Sequence, residues 1–156
     1  MTTKRLWGMA LLSLCWSTGM SQVDVRDRFV GTWFLQAIEQ PGENGEWVES
    51  DLLGPNPLGI LTYDEHGNMA AQLTRRDRTI PDPENAPAEL VNGYVAYFGT
   101  YEVDSAAGTV THHRTAHNNA DLGQLTVVRS YRFEGDRLEL TVAPGGEFRL
   151  TWLRQK

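Results

Sequence analysis

Residues 93–113 read GYVAYFGTYEVDSAAGTVTHH. Bulky side chains recur at every second position on both sides of a short glycine-containing turn, a pattern typical of two antiparallel strands. The alternation places aromatic rings, valines and one imidazole on one face of the predicted sheet: Tyr97, Tyr101, Val103, Val110 and His112. Such a face is typical of the wall of a small-molecule pocket and does not suit a nucleic-acid surface or a membrane span.

Similar alternating segments follow one another along the chain at short spacing. They predict strands over 29–39, 47–49, 59–63, 68–75, 100–103, 110–116, 125–133, 137–142 and 148–153. One short helix is predicted over Ala88–Ala96, after a proline-rich loop at Thr79–Pro87. About eight or nine strands joined by short turns form an up-and-down antiparallel meander, and closure into a barrel removes its exposed edges. The sequence therefore predicts an all-β barrel of a size that holds one small ligand.

The first residues of the chain have the pattern of an export signal. Lys4 and Arg5 precede the apolar run Leu6–Trp16, which has the length of a signal-peptide core and is too short to span a bilayer. Small residues such as Gly19 and Ser21 offer cleavage sites. We expect a signal peptide over residues 1–21, a barrel domain over residues 22–156 and a periplasmic or secreted protein. The alternative is an amphipathic helix of the mature fold, although the segment lacks a polar face.

Composition argues against several kinds of partner and site. The net charge of −6 does not favour binding to a nucleic-acid backbone, which needs a clustered basic face. The single cysteine, Cys15, lies inside the predicted leader, so the mature domain would carry neither a disulfide nor a cysteine-ligated zinc. His113 and His117 are predicted to share one strand face about 13 Å apart, too far to share a metal. We therefore expect no metal, no cofactor and no membrane insertion after leader removal.

Further motifs indicate a family. Gly31-Thr32-Trp33 opens the first strand, where lipocalins carry a Gly-x-Trp signature, and Arg154 near the end lies where lipocalins place a basic residue over that tryptophan. The chain resembles the bacterial and fungal lipocalin-like domain family, a calycin-type β-barrel, in five stretches: 53–59, 69–73, 93–103, 108–113 and 133–138. The resemblance implies a lipocalin-like barrel that binds or reshapes small apolar molecules, as do relatives encoded beside secondary-metabolite enzymes.

The segment 125–133 carries the clearest candidate for ligand binding. Leu125, Val127 and Tyr131 share one face of this strand with Arg129. A charge on an apolar inner face is costly unless it is paired. Arg129 is therefore predicted to bind a carboxylate or to polarise a carbonyl. The alternative is a structural ion pair or an arginine whose head reaches solvent.

A histidine shares this inner face. If the turn at 104–108 pairs Val103 with Val110, Tyr101 lies opposite His112. A Tyr–His pair inside a pocket can bind a polar group or move a proton. The alternative is a core histidine whose hydrogen bonds are satisfied by tyrosine. The predicted ligand-binding residues are Arg129, His112, Tyr101, Tyr97 and Tyr131.

Two functions remain open at this point. The first is a secreted or periplasmic protein that binds a small molecule, apolar or bearing a carbonyl or carboxylate, in the barrel lumen. The second is a barrel enzyme, a cyclase, isomerase or dehydratase acting on a small secondary metabolite. In that enzyme Arg129 would polarise a carbonyl while His112 and Tyr101 moved a proton. The sequence assigns no catalytic residue, since it contains no Gly-x-Ser-x-Gly motif and no phosphate-binding loop.

Overall fold

The computed structural model of the chain describes residues 24–77, 93–118, 126–143 and 145–156. These residues contain nine strands, β1 Gly31–Pro41, β2 Trp47–Glu49, β3 Leu58–Tyr63, β4 Asn68–Thr74, β5 Tyr94–Asp104, β6 Thr109–His117, β7 Thr126–Glu134, β8 Arg137–Ala143 and β9 Arg149–Arg154. Two 3₁₀ turns, Val25–Arg28 and Asp51–Leu53, precede β1 and β3. The predicted leader, the proline-rich loop at 79–87, residues 88–92 of the predicted helix and Leu125 lie outside the described residues.

The strands form a closed antiparallel barrel. Each strand from β3 to β9 pairs with its neighbour in sequence, and β1 closes the ring by pairing with both β3 and β9. Eight strands therefore make the barrel, and β2 is an additional strand bonded to the end of β1. A register shift between Leu35 and Ala37 bends β1 where it parts from β3 and continues along β9. The predicted up-and-down barrel is confirmed.

The predicted short helix is wrong where the structure describes it. Residues 94–96 begin β5, and they pair with Gln72–Thr74 of β4. A strand forms here because the alternating bulky pattern of β5 extends back to Val95, and because β4 needs a backbone partner along its whole length. Among the described residues the helical turns are of the 3₁₀ type, and no helix is long and apolar enough to cross a membrane.

The pairing of β5 with β6 contains a bulge. Gly99 pairs with Arg114, whereas the preceding residue, Phe98, pairs with Ala116. Thr115 is therefore an extra residue on β6 without a partner of its own. Such an insertion bends the strand and reverses the inward and outward alternation beyond it.

The bulge changes the face on which His117, the last histidine of β6, lies. His113 faces outward, with its Nε2 3.6 Å from the Glu102 carboxylate. His117 instead lies across from Tyr97, and their rings stack with centroids 5.8 Å apart. The prediction that His113 and His117 share a face is therefore wrong, because the extra Thr115 between them shifts the alternation by one residue.

One end of the barrel is closed by a tryptophan and an arginine. Trp33 is fully buried, and its Nε1 donates a hydrogen bond to the Phe29 carbonyl at 2.8 Å. The Arg154 guanidinium lies 4.1 Å from the centroid of the Trp33 ring and donates to the carbonyls of Arg28 and Val30. The predicted stacking of Arg154 on Trp33 is confirmed, and it joins the last strand to the segment before the first.

The inward side chains of the strands form one core. Its buried members come from both the early and the late strands, so the core forms only when the ring closes. It contains Phe29, Trp33, Leu35, Ile38, Leu61, Tyr63, Met69, Ala71, Leu73, Tyr97, Tyr101, Val110, Leu138, Leu140 and Trp152. His112 is the one imidazole buried within it among the described residues.

Candidate functional site

His112 lies at the centre of a hydrogen-bonded group inside the barrel. It is 1% exposed, and its two ring nitrogens face two tyrosine hydroxyls. The Tyr63 hydroxyl is 2.6 Å from Nε2 and the Tyr97 hydroxyl is 3.4 Å from Nδ1. Burial, reinforced by the charges of Arg129 and Arg114, holds the pKa of His112 well below its usual value. His112 is therefore a neutral imidazole at pH 7.

The protons in this group can be assigned from its geometry. Burial raises the pKa of Tyr63 well above its usual value, so this phenol keeps its proton. Within the described part of the chain His112 is the hydrogen-bond partner of the Tyr63 hydroxyl, so that hydroxyl donates to Nε2. Nδ1 then carries the imidazole proton and points at the Tyr97 oxygen. The Tyr97 proton is left to be donated to another group.

Arg129 faces the same interior. It alternates with the half-buried Val127 and Tyr131 on β7, and its Nε and Nη1 are buried without a hydrogen-bond partner. Arg129 pairs with Val110 on the neighbouring strand β6, two residues before His112 and on the same face. Its positive charge contributes to the lowered pKa of His112. Arg129 therefore projects into the barrel, as the strand alternation predicts, whereas its role in ligand binding stays a prediction.

Arg114 adds a second guanidinium to this interior. It lies on β6 two residues after His112, with its Cζ 5.5 Å from the centroid of the Tyr97 ring. Burial lowers its pKa, and the charge of Arg129 lowers it further. Two half-buried arginines thus lie on the inner faces of the neighbouring strands β6 and β7.

Two residues of the predicted set lie elsewhere. Tyr101 pairs with His112 across β5 and β6 as predicted, but its hydroxyl donates to the Asp64 carbonyl at 2.9 Å. The rings of Tyr101 and Tyr131 pack against Phe29 at 6.4 and 5.1 Å, at the closed end of the barrel. The structure therefore brings Arg129, His112 and Tyr97 together, and it places Tyr101 and Tyr131 in the aromatic cluster beside them.

Sequence reasoning missed Tyr63 and Arg114. Strand alternation places Arg114, two residues after His112, on the same face, and that signal is sufficient to include it. Tyr63 ends β3 after Leu61, so alternation also predicts an inward ring there. Its distance from His112 depends on closure of the barrel, because β3 and β6 are not neighbouring strands.

The described carboxylates make no ion pair with Arg129. Glu39 pairs with Arg149 at 2.8 Å and Glu139 with Arg132 at 3.0 Å, both outside the group around His112. Arg129 has no ion-pair or hydrogen-bond partner within the described ranges. In the same ranges no group of three or more His, Cys, Asp or Glu side chains is arranged to hold a metal ion.

The lipocalin-like domain family matches the chain over residues 30–154, from the first barrel strand to the last. The chain belongs to this family. The match of this lipocalin-like protein extends over all nine strands and includes the residues around His112. A search of curated protein sequences returned no match.

Two solved structures are similar to this lipocalin-like protein. One is a lipocalin-like protein from Bacteroides uniformis, with 12% identity, a TM-score of 0.48, and coverage of 82% of this chain and 99% of that chain. The other is an uncharacterized protein from Bacteroides eggerthii, with 11% identity, a TM-score of 0.48, and coverage of 81% and 99%.

Proposed function

We propose that this lipocalin-like protein binds a small, partly apolar molecule inside its barrel, with the polar end of the ligand at Arg129 and Tyr97. The observation that carries the proposal is the Arg129 guanidinium, which has two buried nitrogens and no partner within the described ranges. A charged group in such a place is costly unless it is paired. A ligand group that accepts hydrogen bonds offsets that cost.

The apolar part of the ligand would contact the aliphatic side chains around this group. Leu73 and Leu140 are buried on β4 and β8, and the half-buried Val95 packs against the same core. Apolar walls with a few convergent polar groups are typical of small-molecule sites. The arrangement therefore favours a molecule with one polar end rather than a uniformly polar solute.

The direct test is native mass spectrometry of the protein purified from its own host. We expect a retained small molecule on the wild-type protein and much less of it on Arg129→Met. The matched control is Arg132→Met, because Arg132 lies on the same strand but points outward to Glu139. Failure to find a retained molecule, together with failure to bind the neutral apolar dye phenylnaphthylamine, would contradict the proposal.

We also propose that the protein acts in the periplasm or outside the cell. The support is the sequence pattern of Lys4, Arg5 and the apolar run Leu6–Trp16. Sequencing the N-terminus of extracytoplasmic material should then give a chain that begins near Met20 or Gln22. Full-length protein confined to the cytosol would contradict this localisation while leaving the ligand proposal intact.

The geometry around His112 favours binding over the enzyme alternative. Proton transfer to a substrate needs a ring nitrogen that the substrate can reach. Both nitrogens of His112 instead face tyrosine hydroxyls, and the ring is buried. We therefore assign His112 the role of orienting Tyr97. Conversion of the retained molecule by the purified protein would be the result that restores the enzyme alternative.

A further inference from the structure

We infer that the ligand is an organic anion, with a carboxylate or sulfonate at Arg129 and an apolar body in the barrel. The inference rests on the proposed function and narrows it, since a neutral polar molecule would also satisfy that function. The inference follows from the buried side-chain nitrogens of Arg129, which are hydrogen-bond donors without a partner in the described interior.

Of the four buried side-chain nitrogens without a hydrogen-bond partner in the described ranges, His113 Nε2 lies on the outer face beside Glu102, and the three inside the barrel are donors. The Nε and Nη1 of Arg129 are two of them, and the indole Nε1 of Trp152 on β9 is a third. Guanidinium and indole nitrogens donate hydrogen bonds and accept none. A ligand group that binds at Arg129 must therefore present acceptors.

Tyr97 adds another donor to this side of the barrel. The Tyr63 hydroxyl donates to His112 Nε2, and the His112 Nδ1 proton faces the Tyr97 oxygen. The Tyr97 hydroxyl therefore turns its own proton away from His112. Its ring also lies beside the Arg114 guanidinium, which brings this donor and a second positive charge to the same place.

The charge balance distinguishes an anion from a neutral acceptor. The Arg129 guanidinium is positively charged, and among the described residues no carboxylate compensates it. A neutral carbonyl would accept hydrogen bonds from Arg129 but would leave its charge unbalanced. A negative charge beside Arg129 satisfies its donors and balances that charge, and hydrogen bonds between charged partners are the stronger ones.

Two dyes with the same ring system test the inference directly. Anilinonaphthalene sulfonate carries a negative charge, and phenylnaphthylamine is the same framework without the sulfonate. We expect the wild-type protein to bind the sulfonate at least about tenfold more tightly by fluorescence titration, the low end for a charge-assisted hydrogen bond. Dodecanoate should displace it, and dodecanol should not.

Substitutions assign the preference to Arg129. Arg129→Met should weaken binding of the sulfonate dye by at least about tenfold while changing binding of the neutral dye by less than about twofold. Arg132→Met removes an arginine from the outer face of the same strand and should change neither value. Arg129→Gln, which keeps donors but removes the charge, should behave like Arg129→Met. A cooperative urea transition for each variant establishes that it is folded.

The outcomes separate this inference from the proposed function. Equal affinity of the wild-type protein for both dyes, unchanged by Arg129→Met, would overturn the anion inference and leave small-molecule binding standing. Binding of neither dye would overturn both. The preference for the sulfonate dye could also be lost in Arg132→Met and kept in Arg129→Met. That result would place the dye-binding site on the outer surface and would also overturn the inference.

Discussion

At the scale of single residues, the interior depends on a histidine that stays neutral. Burial is the main cause of its lowered pKa, and the charges of Arg129 and Arg114 add to it. Protonation would place a third positive charge beside two guanidiniums. His112 is thus held in the form that accepts a hydrogen bond from Tyr63 and donates one toward Tyr97.

The neutral His112 makes stability depend on pH. Its pKa is lower in the folded than in the unfolded chain, where it is near 6.5, so the unfolded state binds more protons below that pH. The contribution of His112 to the free energy of unfolding should therefore be fully present above pH 6.5. It should decrease as the pH drops toward 5, by up to about 1.4 kcal/mol per pH unit. Urea unfolding at several pH values measures it. His112→Gln should flatten this slope, and His66→Gln, at an exposed turn position, should not.

The unpartnered Arg129 leads to an unusual expectation for stability. Arg129→Met should leave the free energy of unfolding within about 1 kcal/mol of wild type or raise it, because it leaves no buried partner unpaired in the part of the chain that the structure describes. Arg149→Met is the contrast, since Arg149 donates two hydrogen bonds to the half-buried Glu39. That change should cost about 1–3 kcal/mol. A loss of several kcal/mol in Arg129→Met would mean that Arg129 has a structural partner.

At the scale of elements, the β5–β6 hairpin determines which side chains enter the barrel. Regular pairing from the turn to Gly99 brings Tyr101 and His112 opposite each other. The bulge at Thr115 then turns His117 inward to stack on Tyr97. The hairpin thus holds one histidine in the hydrogen-bonded group and places another, His117, against the ring of Tyr97.

The bulge requires a glycine on β5. A Cβ at Gly99 would lie 1.9 Å from the backbone oxygen of His113, and backbone cannot move aside as a side chain can. Gly99→Ala should therefore lower the free energy of unfolding by about 3 kcal/mol, the upper end of overpacking costs. Gly93→Ala is the control, because its nearest atoms belong to the flexible Arg75 side chain. Thermal or urea unfolding compares them, and equal losses would contradict the backbone clash.

At the scale of the whole molecule, closure of the barrel determines what the interior contains. β1 and β9 lie at opposite ends of the described chain and pair from Trp33 to Glu39. Arg154 covers the Trp33 ring and bonds to the segment before β1. This contact covers one end of the barrel, next to the aromatic cluster that contains Phe29 and Tyr63.

Substitution of Trp33 tests how much this closed end of the barrel contributes to stability. Trp33→Ala should lower the free energy of unfolding by about 3–5 kcal/mol, as expected for a fully buried large aromatic side chain, without a specific loss of ligand affinity. Trp47→Ala removes a tryptophan from the additional strand, where it is only half-buried beneath Arg149, and should cost less. Urea denaturation gives both values. A loss below about 1 kcal/mol at Trp33 would place it outside the core.

Most of the fold follows from local pattern. Period-two alternation and glycine turns were sufficient to predict the strands, the meander and the inward faces of β5, β6 and β7. The pattern failed at two places. It assigned a helix to residues 94–96, and it could not detect the extra Thr115, because a bulge is a mismatch between two strands rather than a property of either.

The sequence by itself therefore determined that this is a barrel with an arginine and a histidine among apolar neighbours on its inner face. Only the tertiary structure decided that Tyr63, rather than Tyr101, bonds to His112, since the two strands meet across the lumen and not along the sheet. It likewise decided that no described side chain partners Arg129. Alternation specifies the side of a strand on which a residue lies, but the partner it meets is set by ring closure and stagger.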